Sequence, residues 1–467
     1  MEKEVDAATA FAQYASELRY ADIPSEVREF TKTSILDSLG VTAAASTKGV
    51  GPRELVELVR DGGGKKESTI LGYGDRVPSW MAALANGAMA RALDYDDTLD
   101  DAQSHPSDTT VPAAIAVAQR LKANGKQLIT AVTLGNDITC RILHSISRRP
   151  QGLELEAWFY TSLMGIFGAT AACGKLLGLE TEGIEDALGI ALYQAAGTYQ
   201  ARYTPGYSKI WNMATGFPAM AAVVSALMAE KGITGAKHSF EGKTGFYNMY
   251  FGGHYNRVAL LSDLGKRFEN VEISFKPWPG IRYNHSYIDA TLQLMREHNI
   301  IAQHIKRLTV FVAGWAETFC EPIEDRRSPA NVLEAKRSLP YLVAVAATKG
   351  KVLIRDVTLE GIRDPASLQF AQKVTYKHDA RFNAENRIGP AMVEIELMDG
   401  ESYSKQLDIA YGHPQKPITW QDLTDKFRDC ASYSEKPLSK ESVEKAIDMV
   451  SHLEEVGDIN QLIELLA

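Results

Sequence analysis

From residue 1 to about 265, apolar positions recur mostly at three- and four-residue spacing, the period of a helix with one buried face. In "DIPSEVREFTKTSILDSLGVTAAAS", Ser25 is the expected N-cap after Pro24, and Val27, Phe30, Ile35, Leu36 and Leu39 follow at helical spacing. "TVPAAIAVAQRLKANG" predicts a helix from near Pro112 to Gly125, and "KQLITAVTLGNDITCRILHSI" predicts another directly after it. "TSLMGIFGATAACGKLLGL" is dense in Gly and Ala, a composition that lets helices approach closely. "GIEDALGIALYQAAG" and "GFPAMAAVVSALMAEKG" continue the pattern, and the short Gly-containing links between them fit a helical bundle.

Near residue 268 the period changes. "RFENVEISFKPWPGIRY" alternates as a strand does before two prolines, and "IKRLTVFVAG" predicts a strand after the helix "IDATLQLMREHNI". "NVLEAKRSLPYLVAVAATKG" is helical around Pro340. "QKVTYKHDARF" predicts a strand, and "AMVEIELMDGESYSKQLDI" predicts a hairpin turning at Asp399-Gly400. Helical spacing returns from "TWQDLTDKFRDCA" to the end. The expected fold is therefore mainly α: a large all-helical domain over 1–267, a smaller α+β domain over 268–405, and C-terminal helices over 406–467 that return to the first domain.

Length agrees, since 467 residues exceed what one core sustains. The formal charge of −9 argues against a nucleic-acid partner, which needs a basic face. The apolar runs, "AMAAVVSALMA" among the longest, are too short to span a bilayer, and "MEKEVDAATAF" lacks a secretory apolar core. Cys140, Cys173, Cys320 and Cys430 form no CxxC pair, so they are expected to be buried reduced thiols of a cytoplasmic protein. No phosphate loop, dinucleotide glycine fingerprint, zinc-protease motif or GxSxG elbow occurs, so no cofactor is indicated. An acidic chain that takes an anionic substrate must do so through a local cationic pocket.

Four stretches carry chemistry-bearing residues. "ALDYDDTLDDAQSHPSD" gathers six aspartates around His105. Its adjacent Asp pairs and its lack of glycine fail the calcium-loop ligand rules. Two readings remain open: a polar loop whose aspartates cap the next helix, and an acid–base loop in which Pro106 restrains His105. "FKPWPGIRYNH" sets Lys276, Trp278, Arg282, Tyr283 and His285 on a proline-stiffened segment, either an anion clamp or an ordinary surface loop. "RYTPGYSKIWNMATG" places Lys209 in an aromatic- and Gly-containing loop. "AWFYTSLMG" puts Tyr160, Thr161 and Ser162 at a helix start, where backbone N–H groups favour an anion or a simple cap.

Together these stretches resemble the MmgE/PrpD family over nearly the whole chain. "ALDYDDT…HPSDTTVPAAIAVA" is similar to the family's LDFDDT…HPS…PAALA signature, and "MGIFGATAACGKLLGL" to its Gly/Ala helix. "KPWPGIRYNHSYIDA" and "EAKRSLPYLVAVAATKGKV" resemble its two lid segments. The resemblance implies a helical main domain, an α+β lid domain, a homodimer, and a cofactor-free and metal-free pocket between the domains. Carried over, Asp94, Thr98 and His105 match the first site segment, Lys276 and His285 the lid segment, and Lys209 the site lysine. The segment after Lys209 is about two residues longer than the family's.

Two positions depart from the family's decarboxylase-like members: Phe159 and Ile281 stand where those members carry histidine. Tyr160 is similar to the epimerase-type members. The expected chemistry is proton transfer at a carbon next to a carboxylate. His105, oriented by Asp94 or Asp97, is the expected acid or base, with Tyr160 on the opposite face. Lys209, Lys276 and Arg282 are expected to stabilise the charge, and Trp278, Phe159 and Ile281 to shape the pocket. Dehydration of a small di- or tricarboxylate in the manner of 2-methylcitrate dehydratase is the leading expectation. Epimerisation of an iminodisuccinate type comes second and decarboxylation of a cis-aconitate type third. Outside that class stand a non-catalytic ligand-binding homologue and a metal-dependent hydrolase.

Overall fold

The computed structural model describes residues 5–147, 158–204, 208–383 and 388–467. By contacts the chain divides into two compact units, residues 1–273 with 423–467, and residues 274–422. The junctions fall later than 268 and 406, where the sequence pattern changes.

The first unit opens with α1 (Ala7–Glu17), α2 (Ser25–Lys48) and α3 (Pro52–Gly62), then a short ladder of β1 (Ser68–Thr69) and β2 (Arg76–Val77). It continues with α4 (Ser79–Arg91), α5 (Ser107–Leu121), α6 (Gly125–Ser147), α7 (Tyr160–Leu176), α8 (Thr181–Leu192), α9 (Gly216–Glu230), α10 (Phe246–Phe251) and α11 (Arg257–Leu261). Helix α7 packs on α5, α6 and α9, and α4 packs on α5 and α9. The Gly/Ala composition of α7 has a direct cause. A methyl group on Gly168 would collide with the Gly135 carbonyl oxygen and Thr139 Oγ1 of α6, so α7 approaches α6 too closely there for any side chain of its own.

Two helix starts differ from expectation. Helix α2 begins at Ser25 itself, with Pro24 as the extended cap, so Ser25 is the first helical residue and its hydroxyl turns to Glu26. Helix α5 begins at Ser107, five residues before Pro112, because Pro106 already has helical dihedrals and the residue before it is held out of the helix. Pro112 is carried inside α5, and the helix ends at Lys122 in a left-handed conformation. Gly125 belongs to the start of α6.

The second unit holds α12 (His285–Glu297), β3 (Ile305–Val312), α13 (Ile323–Arg327), α14 (Val332–Arg337), α15 (Leu339–Lys349), α16 (Pro365–Ala371), β4 (Val374–His378), β5 (Ala391–Leu397) and β6 (Ser402–Leu407). The sheet order is β4-β3-β5-β6, parallel between β3 and β4 and antiparallel elsewhere. Strand β5 buries Ala391, Val393, Ile395 and Leu397 against Tyr287, Ala290 and Leu294 of α12 and Leu339, Val343 and Ala344 of α15. The β5–β6 turn uses Gly400 at φ +95°, as the Asp-Gly pair predicts. Ser338 caps α15 by accepting from the Tyr341 N–H at 3.1 Å, which explains helix on both sides of Pro340.

The strand expected at 268–275 is instead a short 3-10 turn, Glu269–Glu272. There the alternation serves a polar anchor: the Glu269 N–H donates to Asp137 Oδ1 at 2.6 Å, and its carboxylate takes His144 Nδ1 at 2.9 Å. The chain closes with α17 (Trp420–Ala431), α18 (Lys440–Ser451) and α19 (Asn460–Ile463). The observed class is mainly α with a smaller α+β part. Among the described residues no helix is long and apolar enough to cross a membrane. The four cysteines are buried and unpaired.

Candidate active site

The loop between α4 and α5, residues 92–106, has no helix or strand beyond one 3-10 turn and is mostly buried. Asp94 turns it at φ +52°, a left-handed conformation that aspartate tolerates better than most residues. Leu99 N–H then donates to Ser104 O at 2.7 Å, closing a small loop around the 3-10 turn Asp100–Ala102. This closure folds residues 96–98 back onto His105.

His105 is held at its backbone N–H and at ring Nδ1. Its backbone N–H donates to Thr161 Oγ1 of α7 at 3.2 Å. Its Nδ1 lies 2.6 Å from the Asp97 carbonyl oxygen and 2.9 Å from Asp96 Oδ2, with Thr98 Oγ1 at 3.5 Å. Carbonyl and carboxylate oxygens only accept, so Nδ1 carries the proton, and in the neutral ring Nε2 carries the lone pair. The orienting carboxylate is therefore Asp96, where the sequence pointed to Asp94 or Asp97. Asp97 contributes its main chain to the ring, and its side chain turns to the Ser107 N–H at 3.4 Å. The cause is the turn at Asp94, which sets Asp96 towards α5 and leaves Asp94 half-buried.

Three buried carboxylates, Asp96, Asp97 and Asp108, share this space with one guanidinium. Arg91, in the last turn of α4, has Nη1 3.6 Å from Asp96 Oδ2 and 3.9 Å from Asp108 Oδ2. Its guanidinium lies 4.5 Å from the Phe159 ring centroid and 5.2 Å from that of Trp211. Those two rings are 4.8 Å apart, and Tyr199 packs on both. The charges do not all ionise. Burial, and then the neighbouring Asp96, push Asp108 well above the ordinary aspartate range. Burial pushes Asp97 up to about 7, with Asp37 and Asp96 adding to it and the Ser107 hydrogen bonds opposing it. The cluster thus sets a proton-holding carboxyl, Asp108, beside a carboxylate-oriented imidazole.

Asp96, His105 and Asp108 also offer ligand atoms within 4.8 Å of one another, enough for a divalent cation. One feature opposes that use: Arg91 already places its positive charge beside both carboxylates.

The other expected residues fall in different places. Phe159 belongs to the cluster through Arg91. Tyr160 opens α7, one residue before Thr161, half-buried and 6.2 Å from the Phe251 ring. Lys209 starts the 3-10 turn Lys209–Met213 and pairs with Glu54, both side chains about 60% exposed. The residue of that turn that reaches the cluster is Trp211.

In the second unit, Lys276, Arg282 and His285 are all buried. Arg282 Nη1 donates to Tyr411 O at 2.8 Å, and His285 Nε2 lies 3.4 Å from Gly280 O. Trp278 stands 5.6 Å from the His285 ring and 6.4 Å from Tyr411. Ile281 binds Lys336 O through its N–H, and its side chain packs on the core of this unit. Arg91, Asp96 and Asp108 are site residues beyond those expected from the motifs. The available signal was a cation three residues before Asp94 in an otherwise apolar helix end.

Comparison with known proteins also finds two parts, the second of which takes in residues 423–455 that pack with the first unit. Residues 9–258 match the MmgE/PrpD N-terminal domain, and residues 278–455 match the MmgE/PrpD C-terminal domain. The human cis-aconitate decarboxylase is 26% identical over 469 residues, covering 98% of this chain and 94% of its own. The Aspergillus terreus cis-aconitate decarboxylase is 26% identical, covering 97% of this chain and 94% of its own. The Salmonella typhimurium 2-methylcitrate dehydratase is 27% identical over 383 residues, covering 74% and 75%. The chain belongs to the MmgE/PrpD family.

Proposed function

We propose that this protein is a lyase that dehydrates a small hydroxy di- or tricarboxylate of the 2-methylcitrate kind, by proton transfer at a carbon next to a carboxylate. One observation carries the reading: an imidazole whose Nδ1 faces Asp96 and the Asp97 carbonyl lies within 4.8 Å of the buried Asp108 carboxyl, which burial pushes towards its protonated form. Loss of water needs a base and then an acid. His105 Nε2 takes the proton from carbon, and the electron pair spreads into the adjacent carboxylate. The imidazolium so formed, its charge held by Asp96 on Nδ1, gives that proton to the departing hydroxyl as water leaves, and the raised Asp108 limits the negative charge of the Asp96–Asp108 pair. For a carboxylate of the substrate the unit that carries His105 offers Lys209. The Lys209–Glu54 pair is exposed, so releasing it costs at most about 1 kcal/mol.

Decarboxylation is the competing reading, favoured by relatives named for it that span nearly the whole chain. It needs an acid for carbon and no base, so the oriented Nδ1–H tautomer of His105 favours dehydration. Phe159, buried under Arg91, and Ile281, packed in a core, stand where an imidazole is expected for decarboxylation. Epimerisation rests on Tyr160 as a second proton carrier. The buried thiols support a cytoplasmic setting, and family likeness supports a homodimer.

The test is incubation in D2O with a panel of hydroxy di- and tricarboxylates, followed by NMR. Loss of water is the expected result. Release of CO2, or deuterium entry without net reaction, would move the assignment to decarboxylase or epimerase. A panel that neither reacts nor exchanges would reject the lyase reading.

A further inference from the structure

Helix α17 sends a buried lysine to the His105 loop. Lys426 Nζ lies 2.6 Å from Asp37 Oδ1 of α2, and both side chains are almost fully buried. The same ammonium donates to the Tyr95 carbonyl oxygen at 2.8 Å and stands 3.8 Å from the centroid of the Tyr95 ring. Tyr95 is itself buried, and it immediately precedes Asp96 and Asp97. Helix α17 is seated tightly on α2 at this point. A methyl group on Gly40 would stand 2.9 Å from Phe427 Cδ2, so the absence of a side chain there sets the approach.

An ammonium buried this deeply is costly unless its donors are used, and packing alone would be met by an apolar residue. What lysine adds is direction. It grips a main-chain carbonyl within residues 95–97, a stretch of the loop outside its 3-10 turn and its Leu99–Ser104 closure, one peptide before the carboxylate and two before the carbonyl that hold the imidazole. A small slip of that peptide would move Asp96 and the Asp97 carbonyl away from Nδ1, and errors near 1 Å in such settings lower turnover by about 100-fold.

We infer that Lys426 is a positioning residue, which fixes the Tyr95 peptide and through it the hydrogen bonds that orient His105. The kinetic part of this inference rests on the lyase reading; the spectroscopic part does not.

Two single variants separate this role from a merely structural ion pair. Asp37→Asn and Lys426→Met each break the same pair, but only the second releases the Tyr95 carbonyl. Asp37→Asn should keep at least half of wild-type kcat. Lys426→Met should lose about 10- to 100-fold in kcat with KM changed by less than about threefold. Its His105 Nδ1–H proton resonance, protected by Asp96 and the Asp97 carbonyl, should broaden or disappear. The double variant D37N/K426M removes both buried charges at once and keeps the test open where Lys426→Met alone does not fold. Equal kcat in the two single variants, or an unchanged Nδ1–H resonance in the double variant, would overturn the inference. If the wild type turns over no polycarboxylate, the lyase reading fails, and the resonance comparison still decides the positioning role.

Discussion

Replacing Asp97 with asparagine keeps the shape of a buried acid and removes its proton. Burial, with Asp37 and Asp96 nearby, raises Asp97 from an ordinary value of 3.8 to about 7. The sign follows from which state holds the proton. Between pH 4 and 7 the native protein keeps a proton that the unfolded chain has already released. Native Asp97 therefore binds more protons, and its contribution to stability is complete below about pH 4 and lost as the pH rises to about 7. The span is about three pH decades, each worth about 1.4 kcal/mol, or roughly 4 kcal/mol in all. Asparagine has nothing to ionise, and its amide oxygen can still accept from the Ser107 N–H. The stability of Asp97→Asn relative to wild type should thus improve by up to about 4 kcal/mol between pH 4 and 7.5. Urea unfolding followed by tryptophan fluorescence at a series of pH values measures this, and taking the difference at each pH cancels the titrating groups that do not neighbour Asp97. A difference constant to within about 1 kcal/mol across the range would show that Asp97 ionises as an ordinary aspartate, and the electrostatic account of the cluster would fail with it.

Three further outcomes are expected. Asp96→Asn replaces the charged acceptor at Nδ1 with a neutral one while the Asp97 carbonyl still holds the proton there, so the imidazolium loses its stabilising charge; kcat should fall about 10- to 100-fold with little change in KM. Gly168→Ala forces α6 and α7 apart at their closest approach and should destabilise the protein by about 3 kcal/mol in chemical denaturation, whereas Gly178→Ala tests only backbone strain, having open space around it. Dialysis against a strong chelator should leave turnover intact, because Arg91 already supplies the positive charge between Asp96 and Asp108; activity lost on dialysis and restored by Mg2+ or Mn2+ would reverse that conclusion.

Much of the fold was legible because its determinants are local. The alternation of Ala391, Val393, Ile395 and Leu397 against Met392, Glu394 and Glu396 names both the strand and its buried face. The Gly/Ala run of α7 predicts a close helix contact, and Gly168 against Gly135 is that contact. What was not legible depends on partners far away in sequence. The alternation at 268–275 looks like a strand, but the Glu269 N–H is claimed by Asp137 and its side chain by His144, on a helix more than a hundred residues earlier. Pro112 looks like a helix start, but Pro106 has already begun the helix, and α5 carries Pro112 at the cost of one hydrogen bond.

The same distinction governs the site. His105, Thr98 and Asp97 were visible from one motif because a single closed loop brings them together. Choosing the right carboxylate was not possible from spacing, since the left-handed turn at Asp94 decides which of three neighbouring aspartates faces the ring. Arg91 was hidden for a different reason. A lone arginine at a helix end is ordinarily a solvated cation that favours the helix dipole. Here Phe159, from the start of α7, and Trp211, from a turn more than fifty residues further on, exclude water from its faces. A guanidinium desolvated in this way interacts strongly with whatever carboxylates it meets. Six aspartates around one histidine pose the choice between a metal cradle and a proton relay, and the aromatic residues around Arg91 tip it. They hold a permanent cation against Asp96 and Asp108, which leaves the pair as a place to keep a proton.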